Sequence, residues 1–114
     1  MVLKRMLRGG ADVPERTATD VAEDMRLGVV QLVDVREVDE WDAGHIDGAR
    51  LIPLGALGSR LAELDRDQPV VTACRSGKRS LVAAKALTQA GFRDVANLEG
   101  GLIAWQAAGQ PVVR

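Results

Sequence analysis

The chain has 114 residues, a formal net charge of −1 at pH 7 and a 46% apolar composition with one Phe, two Trp and no Tyr. This length suits one domain with an aliphatic core, and the balanced charge gives no support to a nucleic-acid or membrane-surface binder. A single cysteine excludes a disulfide within the chain, and one cysteine with one histidine excludes a zinc site.

The amino-terminal segment shows no pattern of a targeting or membrane-spanning sequence. Its first ten residues, MVLKRMLRGG, are basic but contain no apolar run long enough for a signal peptide. No stretch of the chain approaches the roughly 18 apolar residues of a membrane span. The sequence therefore predicts a soluble cytoplasmic protein, with residues 1–14 as an N-terminal arm, flexible or poorly packed, and residues 15–114 as one domain.

A helix is the first element predicted in chain order. Thr17 followed by Asp20 is typical of a helix start, because both side chains can accept hydrogen bonds from free backbone N–H groups. Val21 and Met25 would face the core, and Gly28 suits the left-handed position that closes a helix.

Strands and helices alternate along the rest of the chain. This alternation predicts an α/β fold with a mostly parallel central sheet, and the continuously apolar strands indicate that helices cover both faces. Short runs rich in β-branched or apolar residues predict strands at 29–35, 51–54, 69–74 and 94–98. Leucine spacing and strong helix formers predict helices at 56–65, 80–90 and 101–108.

The only cysteine, Cys74, follows a predicted buried strand and precedes a predicted helix. This edge of an open α/β sheet carries functional sites, and successive N–H groups before a helix form a nest that binds anions. Cationic neighbours and helix N-termini can lower a thiol pKa from about 8.5 into the range ~3.5–7.5. A reactive thiolate is therefore favoured over a buried apolar cysteine. The loop supplies cations, hydroxyl donors and backbone freedom at Arg75, Ser76, Gly77, Lys78, Arg79 and Ser80.

Four polar residues upstream of Cys74 are interpreted as structural support of this loop. Asp34 and Arg36 alternate at a strand end, so their side chains share one side and can hold neighbouring loops by ion pairs. His45, the only histidine, lies in a turn between glycines and is expected to fix that turn rather than act as a base. Glu40 is expected to brace the same turn.

Three segments in this order resemble the rhodanese family of sulfurtransferases, specifically its single-domain members. LVDVREVDEWDAGHIDGARLIPL is similar to the first signature, CRSGKRS to the active-site loop, and NLEGGLIAWQAAGQPV to the closing segment. The resemblance runs from about Thr17 to Val112 and implies a rhodanese-like three-layer α/β/α domain. Thr72 and Ala73 depart from the pattern where many members have an aromatic residue, and Asp47 stands where proline is common.

The resemblance also implies a reaction. The Cys74 thiolate would take the sulfane sulfur of a small anionic donor such as thiosulfate, release sulfite and carry a persulfide, which cyanide or a thiol then consumes by ping-pong kinetics. A persulfide-carrying protein is a further candidate partner, and no cofactor or metal is implied. The substrate-binding residues implied are Arg75, Ser76, Gly77, Lys78, Arg79 and Ser80.

Two other readings stay open. One is a rhodanese-like module that binds partners without catalysis or relays sulfur between proteins. The other is a cysteine phosphatase or arsenate reductase, which also uses a cysteine, a nest and a helix. The tyrosine-phosphatase pattern places five residues between cysteine and arginine, whereas Arg79 stands one position too early after Cys74.

Overall fold

The central sheet of the computed structural model, which describes residues 12–114, has five strands in the described part of the chain. Every strand pair is parallel, and the spatial order is β1-β5-β4-β2-β3. Strands β2, β4 and β5 supply most of the ladder and are almost entirely buried. The strands are β1 (Glu15–Arg16), β2 (Gln31–Asp34), β3 (Arg50–Leu51), β4 (Val70–Ala73) and β5 (Val95–Leu98).

Helices cover both faces of this sheet, as predicted. Alternate residues of each strand point to opposite faces, and the core accordingly divides into two apolar clusters. One cluster contains Leu87 and receives the longest helix, and the other contains Trp105 and Val21 from two further helices. The helices are α1 (Ala18–Arg26), α2 (Val38–Ala43), α3 (Lys78–Gln89) and α4 (Gly101–Ala107), with 3₁₀ segments at Leu54–Ser59 and Leu61–Glu63.

The first helix begins where the sequence predicts it. The Thr17 side chain accepts a hydrogen bond from the backbone N–H of Asp20 at 3.2 Å and so caps α1. Val21 is fully buried, and Gly28 follows the helix with a φ of +71°, in the left-handed region. Both end signals read from the sequence are confirmed.

The predicted amphipathic helix at 56–65 is wrong. The chain forms two short 3₁₀ helices there, because Gly55 and Gly58 weaken an α-helix and Arg60 leaves helical geometry with a φ of −122°. The leucine spacing still identified buried residues, since Leu57 and Leu64 are 3% and 7% exposed.

Most other predicted boundaries moved by one or two residues, the strand predicted at 51–54 is found at Arg50–Leu51, and two elements were missed. Helix α3 begins at Lys78 instead of residue 80, because Gly77 adopts a left-handed φ of +101° and its carbonyl already accepts from the Leu81 N–H. Strand β2 excludes Val29, which is 50% exposed. The sequence reading did not predict β1 or α2.

Residues 1–11 of the predicted N-terminal arm lie outside the described part of the chain. Of the last three arm residues, Val13 packs against the core and the Pro14 carbonyl accepts from the Asn97 N–H at 2.9 Å. Within residues 12–114 no helix is long and apolar enough to cross a membrane.

The two faces of α3 allow a matched test of the core. Leu87 is fully buried and Val82, on the same helix, is 57% exposed. We expect Leu87→Ala to lower the free energy of unfolding by about 2–5 kcal/mol, because it removes apolar contacts and leaves a cavity. Val82→Ala should change it by less than about 0.5 kcal/mol. Urea denaturation of both variants measures the difference, and equal losses would contradict this packing.

Candidate active site

The cysteine lies at the carboxyl end of the central strand β4. That strand ends at Ala73, Cys74 follows, and the left-handed Gly77 turns the chain directly into α3. The loop between strand and helix is thus only residues 74–77, so Lys78, Arg79 and Ser80 stand in the first turn of the helix. This tight turn brings the amides of the helix start back toward the cysteine.

Three polar groups lie within hydrogen-bond distance of the Cys74 sulfur. The backbone N–H of Gly77 donates to Sγ at 3.1 Å, and the backbone N–H of Ser80 does so at 3.4 Å. The Ser80 hydroxyl oxygen lies 3.3 Å from the same sulfur. The nest predicted from the sequence order therefore converges on the sulfur atom.

Burial and hydrogen bonding act in opposite directions on this thiol. Cys74 is only 1% exposed, and burial raises its pKa. Hydrogen bonds from the Ser80 side chain and from the amides of Ser80, Gly77 and Ser76 outweigh burial, so the pKa of Cys74 lies below its ordinary value. The cysteine is thus both a buried residue and one whose surroundings favour the thiolate, which the sequence reading treated as alternatives.

Arg79 is held by a carboxylate and does not stand free beside the sulfur. Its Nη1 and Nη2 donate to the two oxygens of Glu40 at 2.7 and 2.9 Å. The Arg79 hydrogen bonds hold the pKa of Glu40 down at about 2, and Glu40 in turn raises the pKa of Arg79. The ion pair ties α2 to the first turn of α3.

Arg75 and Lys78 are exposed, and neither has an ion-pair partner within residues 12–114. They are therefore the loop cations able to meet an anion from solvent. Their charges are not among the causes that lower the pKa of Cys74, which are hydrogen bonds. The sequence argument for a thiolate gave the cations more weight than this geometry supports.

Asp34 and Arg36 form a buried ion pair at the end of β2. The Asp34 carboxylate accepts from Arg36 Nε and Nη2 at 2.8–3.0 Å, and from the backbone N–H of Arg36. The guanidinium also donates to the carbonyls of Gly44 at 2.8 Å and Glu40 at 3.3 Å. The pair thus fastens α2 and the turn after it to the sheet.

His45 is fixed within the turn that follows α2. Its Nδ1 lies 2.9 Å from the carbonyl oxygen of Trp41, so this nitrogen carries the proton. The imidazole stacks on the Trp41 ring at a centroid distance of 3.7 Å, and the His45 backbone pairs with Val113. These contacts involve no loop residue.

The start of α4 holds the cysteine loop through the loop's backbone carbonyls. The backbone N–H of Leu102 donates to the Cys74 carbonyl at 2.9 Å, and that of Ile103 donates to the Arg75 carbonyl at 3.1 Å. Gly101 has a φ of +60°, and a Cβ atom there would lie 2.4 Å from the Cys74 carbonyl oxygen. Only glycine allows this approach.

The sequence reading missed a buried polar network under the loop. Asn97, on β5 and 2% exposed, contacts the Ser80 hydroxyl, the Gly77 carbonyl and the Glu15 carboxylate. Thr72 on β4 donates to the Ser80 carbonyl at 2.8 Å. A signal existed in the sequence, since an amide inside the apolar run VANL needs hydrogen-bond partners once the strand is buried.

Among residues 12–114, no group of three or more His, Cys, Asp or Glu side chains could hold a metal ion.

Comparison with known proteins gives consistent matches. Residues 17–108 match the family described as "Rhodanese-like domain". The chain is 35% identical over 97 residues to the thiosulfate sulfurtransferase GlpE of Pseudomonas aeruginosa, which covers 85% of this chain and 88% of that protein. It is also similar to the probable adenylyltransferase/sulfurtransferase MoeZ of Mycobacterium tuberculosis, 46% identical over 82 residues and 70% of this chain. That match covers 21% of MoeZ, so the chain spans about a fifth of that relative's length.

A solved structure of similar shape is the rhodanese-related protein from Thermoplasma volcanium. It has a TM-score of 0.80 at 32% identity, over 88% of this chain and 97% of that chain. The predicted fold class and the family resemblance are both confirmed.

The close packing of Gly101 on the loop leads to a prediction. We expect Gly101→Ala to lower the free energy of unfolding by about 2 kcal/mol or more, because it combines a left-handed φ with a backbone clash. Gly109→Ala is the matched control, since Gly109 has a φ of +79° but nothing within 4 Å of an added Cβ. Urea denaturation measures both, and equal losses would argue against the contact.

The Glu40–Arg79 pair should make stability depend on acid pH. The folded pKa of Glu40, about 2, lies below its ordinary value of 4.5. Its stabilisation is therefore full above pH 4.5 and is lost as the pH falls toward about 2. We expect the difference in unfolding free energy between the native protein and Glu40→Gln to shrink over that window.

Glu23→Gln serves as the control for this pH series, because Glu23 makes an exposed pair with Arg26 that solvent screens. Denaturant unfolding at several pH values checks both variants. A difference for Glu40→Gln that does not vary with pH would contradict the role of its charge.

Proposed function

This chain belongs to the rhodanese-like domain family, and we propose that it is a sulfurtransferase that moves a sulfane sulfur from a thiosulfate-like anion to a thiol or cyanide through a persulfide on Cys74. The observation that carries the proposal is the convergence of two backbone N–H groups on Cys74 Sγ, at 3.1 and 3.4 Å. Such donors stabilise an anionic sulfur, which is the nucleophile.

In the first half-reaction the Cys74 thiolate attacks the outer sulfur of thiosulfate. An Sγ–S bond forms, the S–S bond of thiosulfate breaks, and sulfite leaves with the electron pair of that bond. The product is an anionic persulfide, so charge is conserved. The nest, built to favour negative charge, supports the sulfur throughout this exchange.

In the second half-reaction the acceptor attacks the outer sulfur of the persulfide. With cyanide, thiocyanate forms and the Sγ–S bond breaks with its electrons returning to Cys74. The same N–H groups that favour the thiolate as nucleophile also favour it as leaving group. No general base is needed in either step, which agrees with the engagement of His45 by Trp41.

Access to the sulfur requires movement of the loop. Cys74 is 1% exposed, whereas Arg75 and Ser76 above it are exposed. A donor therefore reaches Sγ only when the atoms that cover the sulfur move. Arg75 and Lys78 supply positive charge at this entrance, which suits a dianionic donor.

Phosphatase chemistry has less support at this site. The arginine of a phosphatase loop must be free to clamp phosphate oxygens, but the Arg79 guanidinium is bound by Glu40 through two hydrogen bonds. Similarity to MoeZ, a probable adenylyltransferase/sulfurtransferase, supports sulfur transfer and does not identify the donor. If the donor is a protein persulfide, it replaces thiosulfate, and the chemistry at Cys74 is unchanged. We place the reaction in the cytoplasm, where a single thiol stays reduced.

The test uses the full chain and its Cys74→Ser variant. Incubation with thiosulfate should add the mass of one sulfur atom to the native protein, and later addition of cyanide should release thiocyanate. The variant should show neither signal, because its hydroxyl is not a comparable nucleophile at neutral pH. Mass spectrometry and a colorimetric thiocyanate assay measure the two steps.

The same two proteins, assayed also with a protein persulfide and with an aryl phosphate, separate the alternatives. Normal turnover by Cys74→Ser would contradict the nucleophile assignment. Sulfur loading from a protein persulfide but not from thiosulfate would favour a relay. Release of phosphate from an aryl phosphate, lost in the variant, would favour a phosphatase.

A further inference from the structure

Asn97 connects the nucleophile loop to the sheet beneath it. Its side-chain Nδ2 donates to the Gly77 carbonyl at 3.0 Å and to a Glu15 carboxylate oxygen at 3.0 Å. Its Oδ1 accepts from the Ser80 hydroxyl at 2.5 Å. The amide thus holds both residues that donate to Cys74 Sγ.

The Ser80 hydroxyl faces two acceptors but has one proton. Its oxygen is 2.5 Å from Asn97 Oδ1 and 3.3 Å from Cys74 Sγ. The shorter contact takes the proton, so an S–H group can donate to the remaining lone pairs of the Ser80 oxygen. In the thiol state a chain of hydrogen bonds therefore runs from Cys74 through Ser80 to Asn97.

Within residues 12–114, the other hydroxyl within hydrogen-bond distance of Asn97 Oδ1 is that of Thr72. The Thr72 hydroxyl lies 3.3 Å from Oδ1, but its one proton is used at 2.8 Å by the Ser80 carbonyl. If the Ser80 hydroxyl turns toward an ionised sulfur, Oδ1 of the buried Asn97 loses its close donor. A buried acceptor without a partner is costly, so this turn is opposed.

We propose that Asn97 is a positioning residue that competes with Cys74 for the hydroxyl proton of Ser80 and thereby limits how strongly that hydroxyl supports the ionised sulfur. When Cys74 ionises, its own proton leaves to solvent and no other covalent bond changes. The proposal rests on the proposed function, because sulfur transfer is the reaction in which the ionised sulfur would act. Its test measures the sulfur itself and needs no sulfur transfer.

Limiting the hydrogen bonds to an ionised sulfur is useful in group transfer. The nucleophilicity of a thiolate falls as its pKa falls, and the best attacking thiol has a pKa near the ambient pH. Asn97 keeps one of the available donors away from the sulfur, so the thiolate is less strongly stabilised and retains more of its nucleophilicity. The charged groups around this network are Glu15 on β1, Arg79 on α3, and the exposed Arg75 and Lys78.

The test is a double-mutant cycle on the full chain. Cys74 is the only cysteine, so the pH dependence of alkylation by iodoacetamide reports its pKa alone. Ser80→Ala is measured in the native protein and in Asn97→Leu. We expect Ser80→Ala to raise the pKa of Cys74 more in the Asn97→Leu background than in the native protein, by about half a unit or more. The reason is that the Ser80 hydroxyl is free to donate to sulfur once Asn97 is replaced.

The cycle cancels any loosening of the loop caused by Asn97→Leu, because Asn97→Leu is present both with and without Ser80→Ala. Thr72→Val is the control, because Thr72 belongs to the network but does not hold the Ser80 proton, and the Ser80→Ala effect should keep its native size there. If Asn97→Leu does not fold, as judged by circular dichroism, Asn97→Thr takes its place.

Equal effects of Ser80→Ala in both backgrounds would overturn the proposal, since Asn97 would then not control the hydroxyl. A smaller effect in Asn97→Leu would also overturn it, by indicating that Asn97 aims the hydroxyl at sulfur. Coupling of the expected sign in a protein that transfers no sulfur would refute the proposed function and leave this inference standing.

Discussion

The hydrogen bonds from the Gly77 and Ser80 amides to the Cys74 sulfur depend on one feature of the backbone. Gly77 takes a left-handed φ of +101°, and helix α3 then begins at once. A side chain at this position would strain the turn, and a longer loop would point the helix amides elsewhere. The Cys74 sulfur is therefore surrounded by main-chain donors and by the Ser80 hydroxyl, and the ion pairs nearby keep the adjoining segments in place.

The charged groups near the site are mostly used for this support. Arg36 is held by Asp34 and fastens α2 to the sheet, whereas Arg79 is held by Glu40 and fastens α2 to the first turn of α3. Partly buried charges need such partners, because an unpaired charge away from water is strongly unfavourable. Among the described residues of the cysteine loop and the first turn of α3, the exposed cations Arg75 and Lys78 have no ion-pair partner. The proposed attraction of an anion and the hydrogen bonding of the sulfur are thus assigned to different groups.

Local patterns in the sequence were enough to predict a mostly parallel sheet, without its first strand, and the position of Cys74 at a strand end. They were less reliable where the outcome depends on distant partners. The assignment of Arg79 to the substrate followed from its position in the loop, whereas its contact with Glu40 joins residues far apart in the chain. Asn97 passed as an ordinary strand residue, because nothing in its own segment shows that Ser80 and Gly77 lie above it.

The α-helix predicted at residues 56–65 was wrong for a related reason. Leucine spacing reports which side of a segment is buried, but it does not distinguish an α-helix from consecutive 3₁₀ turns. The glycines at positions 55 and 58 and the non-helical φ of −122° at Arg60 decide that choice. Burial was accordingly predicted better than hydrogen-bond pattern.

The support of the cysteine loop by α4 has a consequence for the order in which the protein is made. The carbonyls of Cys74 and Arg75 are bound by the Leu102 and Ile103 amides, which are synthesised well after the loop itself. A growing chain on the ribosome therefore carries its thiol without the scaffold that shapes it. The loop around Cys74 therefore gains its full set of backbone hydrogen bonds only when the last helix docks.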